Sequence, residues 1–534
     1  MRKSFLTISL SFIVFISHSQ RNEWVDTATI SKITAEESEH SQILYLASHI
    51  TDHTGPRLTW SPGFDRAADW VISEFKKWGL QNIHKEFWEP KGKSWDMQKC
   101  YAAISQPYYQ NIAATPQAWS AGTNGPVTAE VMLVSAKDSA EFVKEYSGKL
   151  KGKIILFEPV FPAPKINFNK NAERFTEDSL QKLSKETDPG DQTLFSNDTA
   201  AMRKKFDGLM QLFSSFLLPQ KLWTFCNKEG VTAMLSYGQG GEGTYKGDGS
   251  YNYLSRPGEA AMANINIREE DYLRIIRLLK DNVTVKMDLD IKTVIKSEPQ
   301  QGYNIVADIP GTDPQLKNEL AMVGGHFDSW HGATGATDNG AGSITMMEVI
   351  RLLKTMNLPL KRTVRIVLWG GEEQGLFGSL AYVNKNVAEF STMKPLRDYD
   401  LISAYYNLDN GSGQIRGIHL QNNSSLRNLF ETWLAPFKKM DGATVSIKNS
   451  GYTDNESFDL AGIPAFQFIQ DPLNYETRTH HTNADNYEQI SEKDLKQAST
   501  IIASIVYHTA NRKDKLARKE KPKPYGNFNF YILN

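Results

Sequence analysis

The chain has 534 residues, of which 40% are hydrophobic and 23% charged, enough for two or three domains with sizeable cores. Its 60 Lys and Arg balance 61 Asp and Glu, which argues against a nucleic-acid partner, since such chains carry a basic excess. Only two cysteines are present, Cys100 and Cys226. They are too few and too far apart for a thiolate metal motif, and a disulfide between them and two separate buried thiols both stay open.

The N-terminus reads as a signal peptide over residues 1–19. Met1-Arg2-Lys3 is basic, Phe5 to Ile16 is mostly apolar, and small residues at Ser17 and Ser19 predict a mature start at Gln20. The apolar run falls short of the ~20 residues a membrane span needs. A secreted or periplasmic protein with no membrane attachment after cleavage is expected.

Residues 20–34 read as an extended lead-in and Ala35 to Ile50 as a helix. A second helix, ending near Trp78, places Ala67, Trp70, Val71 and Phe75 at helical spacing, with Gly79 as its stop. Strands follow at Ile83–Trp88 and Tyr101–Ile104. Residues 126–295 change character. Strands at 127–134, 150–157 and 233–237 predict a β-rich insert, with a polar elaboration at about 160–220. From Tyr303 strands and helices alternate: strands at 304–309, 320–324, 364–369, 402–408 and 465–469, helices at 343–356, 378–384, 426–434 and 495–509. That order predicts an α/β domain with a mixed, largely parallel sheet flanked by helices. The discontinuous domain would comprise 20–125 and 296–510. A basic tail, 511–534, is expected to be a solvated end whose last aromatics dock.

The polar residues fall in a pattern on this scaffold. His326 and Asp328 follow one strand, Asp338 opens the next helix, Glu372-Glu373 follows the strand at 364–369, Asp409 follows the strand at 402–408, and His481 follows the last strand. Each lies past the carboxyl end of a strand, the edge where open parallel sheets bind ligands. The donors are imidazole and carboxylate without thiols, a set that suits Zn²⁺ or a similar ion. A dinuclear hydrolytic site needs a bridging carboxylate, two further ligands per metal and a base that binds neither. His326, Asp338, Glu373, Asp409, His481 and Glu372 match that count. His331, in the glycine-rich loop, is read as solvated.

Five segments, "GGHFDSW", "GATDNGAG", "VLWGGEEQGLFGS", "YNLDN" and "HHTNAD", occur in this order and together resemble zinc exopeptidases of metallopeptidase family 28. So do "TGPRLTWSPGFDRAADWVISEFKKWGL" and "PQQGYNIVADIPGTD". The resemblance covers roughly 40–125 and 296–510, and the 126–295 insert stands where many members carry a protease-associated domain. It implies two Zn²⁺ per chain, with Asp338 bridging, His326 and Asp409 on one ion, and Glu373 and His481 on the other. Glu372 would be the general base, acting on a metal-bridging water. Asp328 and Asp485 would orient the ligand imidazoles. His480 competes with His481, but His481 has an acid four residues on. A cis peptide is expected between Asp338 and Asn339. Asp454 and Arg478 are candidates for the substrate pocket. The implied activity is removal of N-terminal residues from peptides or cleavage of dipeptides. A carboxypeptidase on the same core, a one-zinc glutaminyl cyclotransferase, and a non-catalytic scaffold like transferrin receptor chains are the alternatives. A homodimer stays open.

Overall fold

The computed structural model describes residues 23–135, 138–158, 169–191, 193, 201–205, 220–238, 242–249, 262–296 and 298–526. The expected signal peptide lies outside these residues, as does much of the 160–220 elaboration. Among the described residues no helix is long and apolar enough to cross a membrane.

Two eight-stranded sheets organise the chain. In the first, Thr363–Trp369, Leu320–His326, Ile402–Asn407 and Ala465–Gln470 run parallel to one another in that spatial order. Gln300–Ile309 and then Gln81–Gly92 extend it antiparallel on one side. Ile415–His419 pairs antiparallel with Ala465–Gln470 on the other, and Thr444–Ser446 closes that edge. The central strands are buried at nearly every position because both faces are covered. In Leu320–His326, Ala321 and Val323 join one hydrophobic cluster while Leu320 and Met322 join the other, the two-residue period of a strand.

Helices form the outer layers. Pro62–Lys77 starts with Ser61, whose hydroxyl accepts the Phe64 N–H, and has proline at its first position. Ala341–Thr355 is buried along nearly its whole length, since it lies between the sheet and the closing helix Glu492–Asn511. The lead-in departs from expectation: Thr27–His40 is already helical, capped by Asp26, and a separate short helix runs Ile43–Ser48. The Asp26 carboxylate accepting the Thr29 N–H supplies the start signal.

The second sheet is ordered Gln110–Asn111, Trp95–Gln106, Lys286–Ile295, Val127–Val134, Ile154–Phe157, Ala233–Ser236, Asn264–Ile267, Ala114–Pro116. It therefore draws on residues from Trp95 onward, upstream of the composition change at 126. Its long antiparallel pair, 95–106 with 286–295, continues from the first sheet's 81–92 and leads into its 300–309. The seam between the sheets is aromatic. Trp60, Trp88, Trp95, Trp119, Trp330 and Phe377 pack with Leu58 and Ala118. Edge-on contacts such as Trp60–Trp88, 5.8 Å between centroids, add to the ~1.5–3 kcal/mol that each large side chain gains on burial.

The basic tail is not simply solvated. Arg512 pairs with Glu23, Leu516 is buried in the core, and Tyr525 docks with its hydroxyl on the Leu460 carbonyl. Cys100 and Cys226 are separate free thiols.

Candidate metal centre

The candidate ligands lie at or beyond the carboxyl ends of the parallel strands, on one edge of the sheet. His326 is the last residue of Leu320–His326. The loop after it returns through Ala336–Gly340, bringing Asp338 back to His326, before Ala341–Thr355 begins. The Asp338–Asn339 peptide is cis, as expected. Asn339 caps the new helix by accepting the Gly342 N–H at 2.9 Å. Its amide also donates to the Leu408 carbonyl at 2.9 Å, tying that helix to the strand that carries Asp409. Glycine is required at 342, because a Cβ there would stand 2.1 Å from the Leu408 carbonyl oxygen.

The side chains converge. His326 Nε2 lies 3.3 Å from Asp338 Oδ1, 3.2 Å from Asp409 Oδ1 and 4.0 Å from Glu372 Oε2. His481 Nε2 lies 3.0 Å from Glu373 Oε2 and 3.3 Å from Asp338 Oδ2. Asp338 thus faces both histidines, one through each oxygen. Two sets follow, His326 with Asp409 and His481 with Glu373, sharing Asp338, and Glu372 stands beside the first.

The donor set fits a divalent cation. Asp338 Oδ2 and Glu373 Oε1 are buried and accept no hydrogen bond among the described residues, which is costly for carboxylate oxygens unless a cation meets them. Burial, with Asp409 and Asp338 close by, pushes Glu372 and Glu373 well above the usual carboxylate range. Burial opposes charge on His326, but Asp409, Glu372 and Asp338 outweigh it and hold its proton affinity well above normal. Mutual repulsion of this kind is what a bound cation relieves. Burial lowers the proton affinity of His481, with Asp338 acting in the opposite sense, which favours the neutral imidazole that a metal ligand needs.

The two orienting acids work differently from expectation. His326 Nδ1 is met by the main-chain carbonyl of Asp328 at 3.0 Å. The Asp328 carboxylate instead accepts the Thr59 hydroxyl at 2.8 Å and the N–H groups of Glu372 and Glu373 at 3.2 and 3.3 Å. Asp485 does not hold the His481 ring. It accepts the N–H groups of Thr337 and Asp338 at 2.6 and 3.0 Å, and the Thr337 hydroxyl at 2.7 Å. Burial beside Asp338 pushes its pKa to about 7. Both acids brace the backbone of the turns that carry the site, because an extended loop leaves amides unpaired that an adjacent carboxylate can reach.

The competing residues also find places. His480 Nε2 is 3.9 Å from Asp338 Oδ2, farther than His481, and it forms a potential metal-holding group with both. His331 is buried rather than solvated, because the second sheet covers it. Its Nε2 donates to the Pro116 carbonyl at 2.7 Å and Trp95 packs edge-on against its ring. Among the described residues no donor meets the fully buried Asp454 in good hydrogen-bonding geometry, and burial pushes it to about 8, with the Ser379 hydroxyl acting in the opposite sense. Arg478 is exposed on the turn Tyr475–Thr479.

Two contributors carry no role in the sequence reading. Arg57 is fully buried and spends its guanidinium on the carbonyls of Phe327, Ile50, Thr334 and Gly335. It clamps both ends of the loop between His326 and Asp338. Burial lowers its pKa to about 10, with Asp485 and Asp328 acting in the opposite sense. The second contributor is a loop of the second sheet, Thr244–Gly249. Gly247 N–H donates to the His481 carbonyl at 2.8 Å, Lys246 Nζ to the His480 carbonyl at 3.1 Å, and Tyr245 pairs with Asn483. Gly247 and Gly332 meet backbone to backbone, where a Cβ on Gly332 would lie 2.3 Å from the Gly247 Cα.

Comparison with known proteins adds a relationship. The family described as peptidase family M28 matches residues 304–506. Carboxypeptidase Q of Mus musculus is 23% identical over 470 residues, 88% of this chain and 86% of its own. Aminopeptidase YwaD of Bacillus subtilis (strain 168) is 30% identical over 203 residues, 37% of this chain and 42% of its own. Among solved structures, a peptidase M28 precursor from Shewanella amazonensis SB2B is similar with a TM-score of 0.63 and 20% identity, covering 92% of this chain and 98% of that one. BSAP, a zinc aminopeptidase from Bacillus subtilis, is similar with a TM-score of 0.52 and 19% identity, covering 90% and 97%. These structures share the fold of this chain.

Proposed function

The chain belongs to peptidase family M28 through residues 304–506 and is a metallopeptidase, and from that premise we propose that it is a secreted or periplasmic dinuclear zinc exopeptidase acting on the N-terminus of peptides or on dipeptides. The observation that carries this reading is the convergence on Asp338. One of its oxygens lies 3.3 Å from His326 Nε2 and the other 3.3 Å from His481 Nε2.

Asp338 would be shared by two zinc ions, with His326 and Asp409 on one and Glu373 and His481 on the other. Zinc bound there supplies Lewis acidity toward the scissile carbonyl and lowers the pKa of water. Glu372 is the free carboxylate of the group. It takes the proton of the attacking water and returns it to the leaving amine. Its place is set by Asp328, which holds its N–H, and by the Gly375 and Leu376 N–H groups on its carbonyl. Asp409 and Asp338 flank the His326 imidazole and keep its Nε2 directed at the centre. The second sheet, which holds the strands of the expected protease-associated-like insert, packs on the glycine-rich loop through His331 and Gly247 and would shield the centre from water on that side.

A carboxypeptidase on the same core is the second reading, favoured by the length over which carboxypeptidase Q aligns. Metal analysis of the mature protein, with hydrolysis of aminoacyl anilides, dipeptides and N-blocked dipeptides, tests both. About two zinc per chain, loss of activity with chelator, and a Glu372→Gln variant that keeps zinc but loses at least ~10³-fold in kcat support the proposal. One zinc with cyclisation of N-terminal glutamine, or cleavage confined to N-blocked substrates, overturns it.

A further inference from the structure

We propose that Asp248, carried by the loop of the second sheet, anchors the free α-ammonium group of the substrate, so that the second sheet completes the active site. The inference rests on the exopeptidase reading and adds the residue that makes it specific for free N-termini.

The loop is fixed against the catalytic edge at several points. Lys246 forms a β-bridge with Thr482, Gly247 N–H meets the His481 carbonyl, and Asn266 holds the Lys246 carbonyl at 2.9 Å. Gly249 packs on Ala118, Trp119 and Trp330. Asp248 follows Gly247 directly, and its carboxylate is near enough to the His481 imidazole for the two to attract. It is half-buried and reachable. Its carboxylate meets Asn266 Nδ2 at 3.5 Å, the outer limit of a hydrogen bond, and its own backbone N–H, which leaves part of its acceptor capacity open.

Lys246 attracts the Asp248 carboxylate, but among the described residues no nearby cation hydrogen-bonds to it. Lys246 Nζ donates to the His480 carbonyl, and Arg57 is spent on four carbonyls. The other uncommitted acid near the centre, Asp454, is sealed from solvent and out of reach of a substrate. Substrate geometry sets the remaining requirement. With the scissile carbonyl at the metal pair, the α-nitrogen is roughly 2.5 Å from the carbonyl carbon, so its counter-charge must border a ligand residue. Asp248 follows Gly247, whose N–H meets the His481 carbonyl, so it stands one residue from that candidate ligand. A charge-assisted hydrogen bond there selects a charged amine over a blocked one.

The test uses the full mature protein loaded with zinc. For Asp248→Asn the expected result is a rise in KM for an aminoacyl anilide of at least ~10-fold, the scale of one charged hydrogen bond, with kcat within about threefold and zinc content unchanged. Asp248→Glu should recover part of the affinity. Three outcomes overturn the proposal. If KM is unchanged in Asp248→Asn, the carboxylate does not touch the substrate. If zinc content and kcat fall together at constant KM, Asp248 only positions His481. If Lys246→Ala, but not Asp248→Asn, raises KM and does so for substrates with a free carboxylate, the loop reads the other terminus. Wild-type protein that cleaves no substrate with a free amine defeats the exopeptidase reading itself, and the proposal with it; the other outcomes leave that reading standing.

Discussion

The carboxylate of Asp328 accepts the backbone N–H groups of Glu372 and Glu373, at 3.2 and 3.3 Å. One buried acid just past the strand bearing His326 thus sets the turn that carries both the candidate base and a candidate ligand. Asp328→Ala frees that turn while leaving the His326 contact, which runs through the main-chain carbonyl. We expect a fall of about 10- to 100-fold in kcat and a weaker hold on one of the two zinc equivalents, read by steady-state kinetics and metal titration. A variant of unchanged kcat would show that the turn holds its shape alone.

Arg57 supports the same region from behind. Removing it leaves the carbonyls of Phe327, Ile50, Thr334 and Gly335 without their donor, at a cost of about 1–3 kcal/mol for each buried group left unpaired. Arg57→Met should lower stability by roughly 3 kcal/mol or more, measured by urea unfolding. Arg57→Lys should not restore it, since one ammonium cannot reproduce the planar fork.

The two adjacent histidines are separable. His481→Ala removes the side chain nearest Glu373 and should halve the bound zinc, with activity lost. His480→Ala removes a ring that stands 3.9 Å from Asp338 and should leave two equivalents. Zinc counts after gel filtration decide between them, and the reverse result would exchange their roles.

Far from the centre, Glu37 is buried against Glu348, whose charge Arg351 already balances. Burial first, then Glu348, raises the Glu37 pKa to about 9. The folded state therefore holds a proton that the unfolded state releases near pH 4.5. The stability tied to that proton is fully present below the unfolded value and falls as pH rises toward 9. Glu37→Gln should flatten the fall. Melting temperatures at pH 5 and pH 8 should converge in the variant relative to wild type; parallel shifts would refute the linkage.

The catalytic edge was legible in the sequence because chemistry and period coincide there. An apolar strand that ends in histidine or acid is visible from Leu320–His326 alone, and the resemblance assigned roles to the same positions. The helix at 341–355 and the α/β alternation were readable for the same reason: burial on both sides leaves little besides apolar residues. What could not be read depends on long-range contact. Asp328 and Asp485 find backbone amides brought to them by distant turns, contacts that their spacing from the histidines did not show, although the Asp328 carboxylate also stands 3.8 Å from His326 Nδ1. His331 looked solvated because only the second sheet, through Pro116 and Trp95, covers it. Arg57 sat in a quoted motif, yet its four acceptors lie in segments that only the fold assembles. The second sheet's start at Trp95 was hidden because a strand crossing between two sheets leaves no change in composition.

The bond from Gly247 to His481 joins segments of the chain made at very different times. The second sheet lies wholly within residues 95–295 and is complete before the segment bearing His481 emerges. Sheets that fold as units form in that order during synthesis. The last candidate ligand, His481, thus arrives when the closing segment settles against a surface already built.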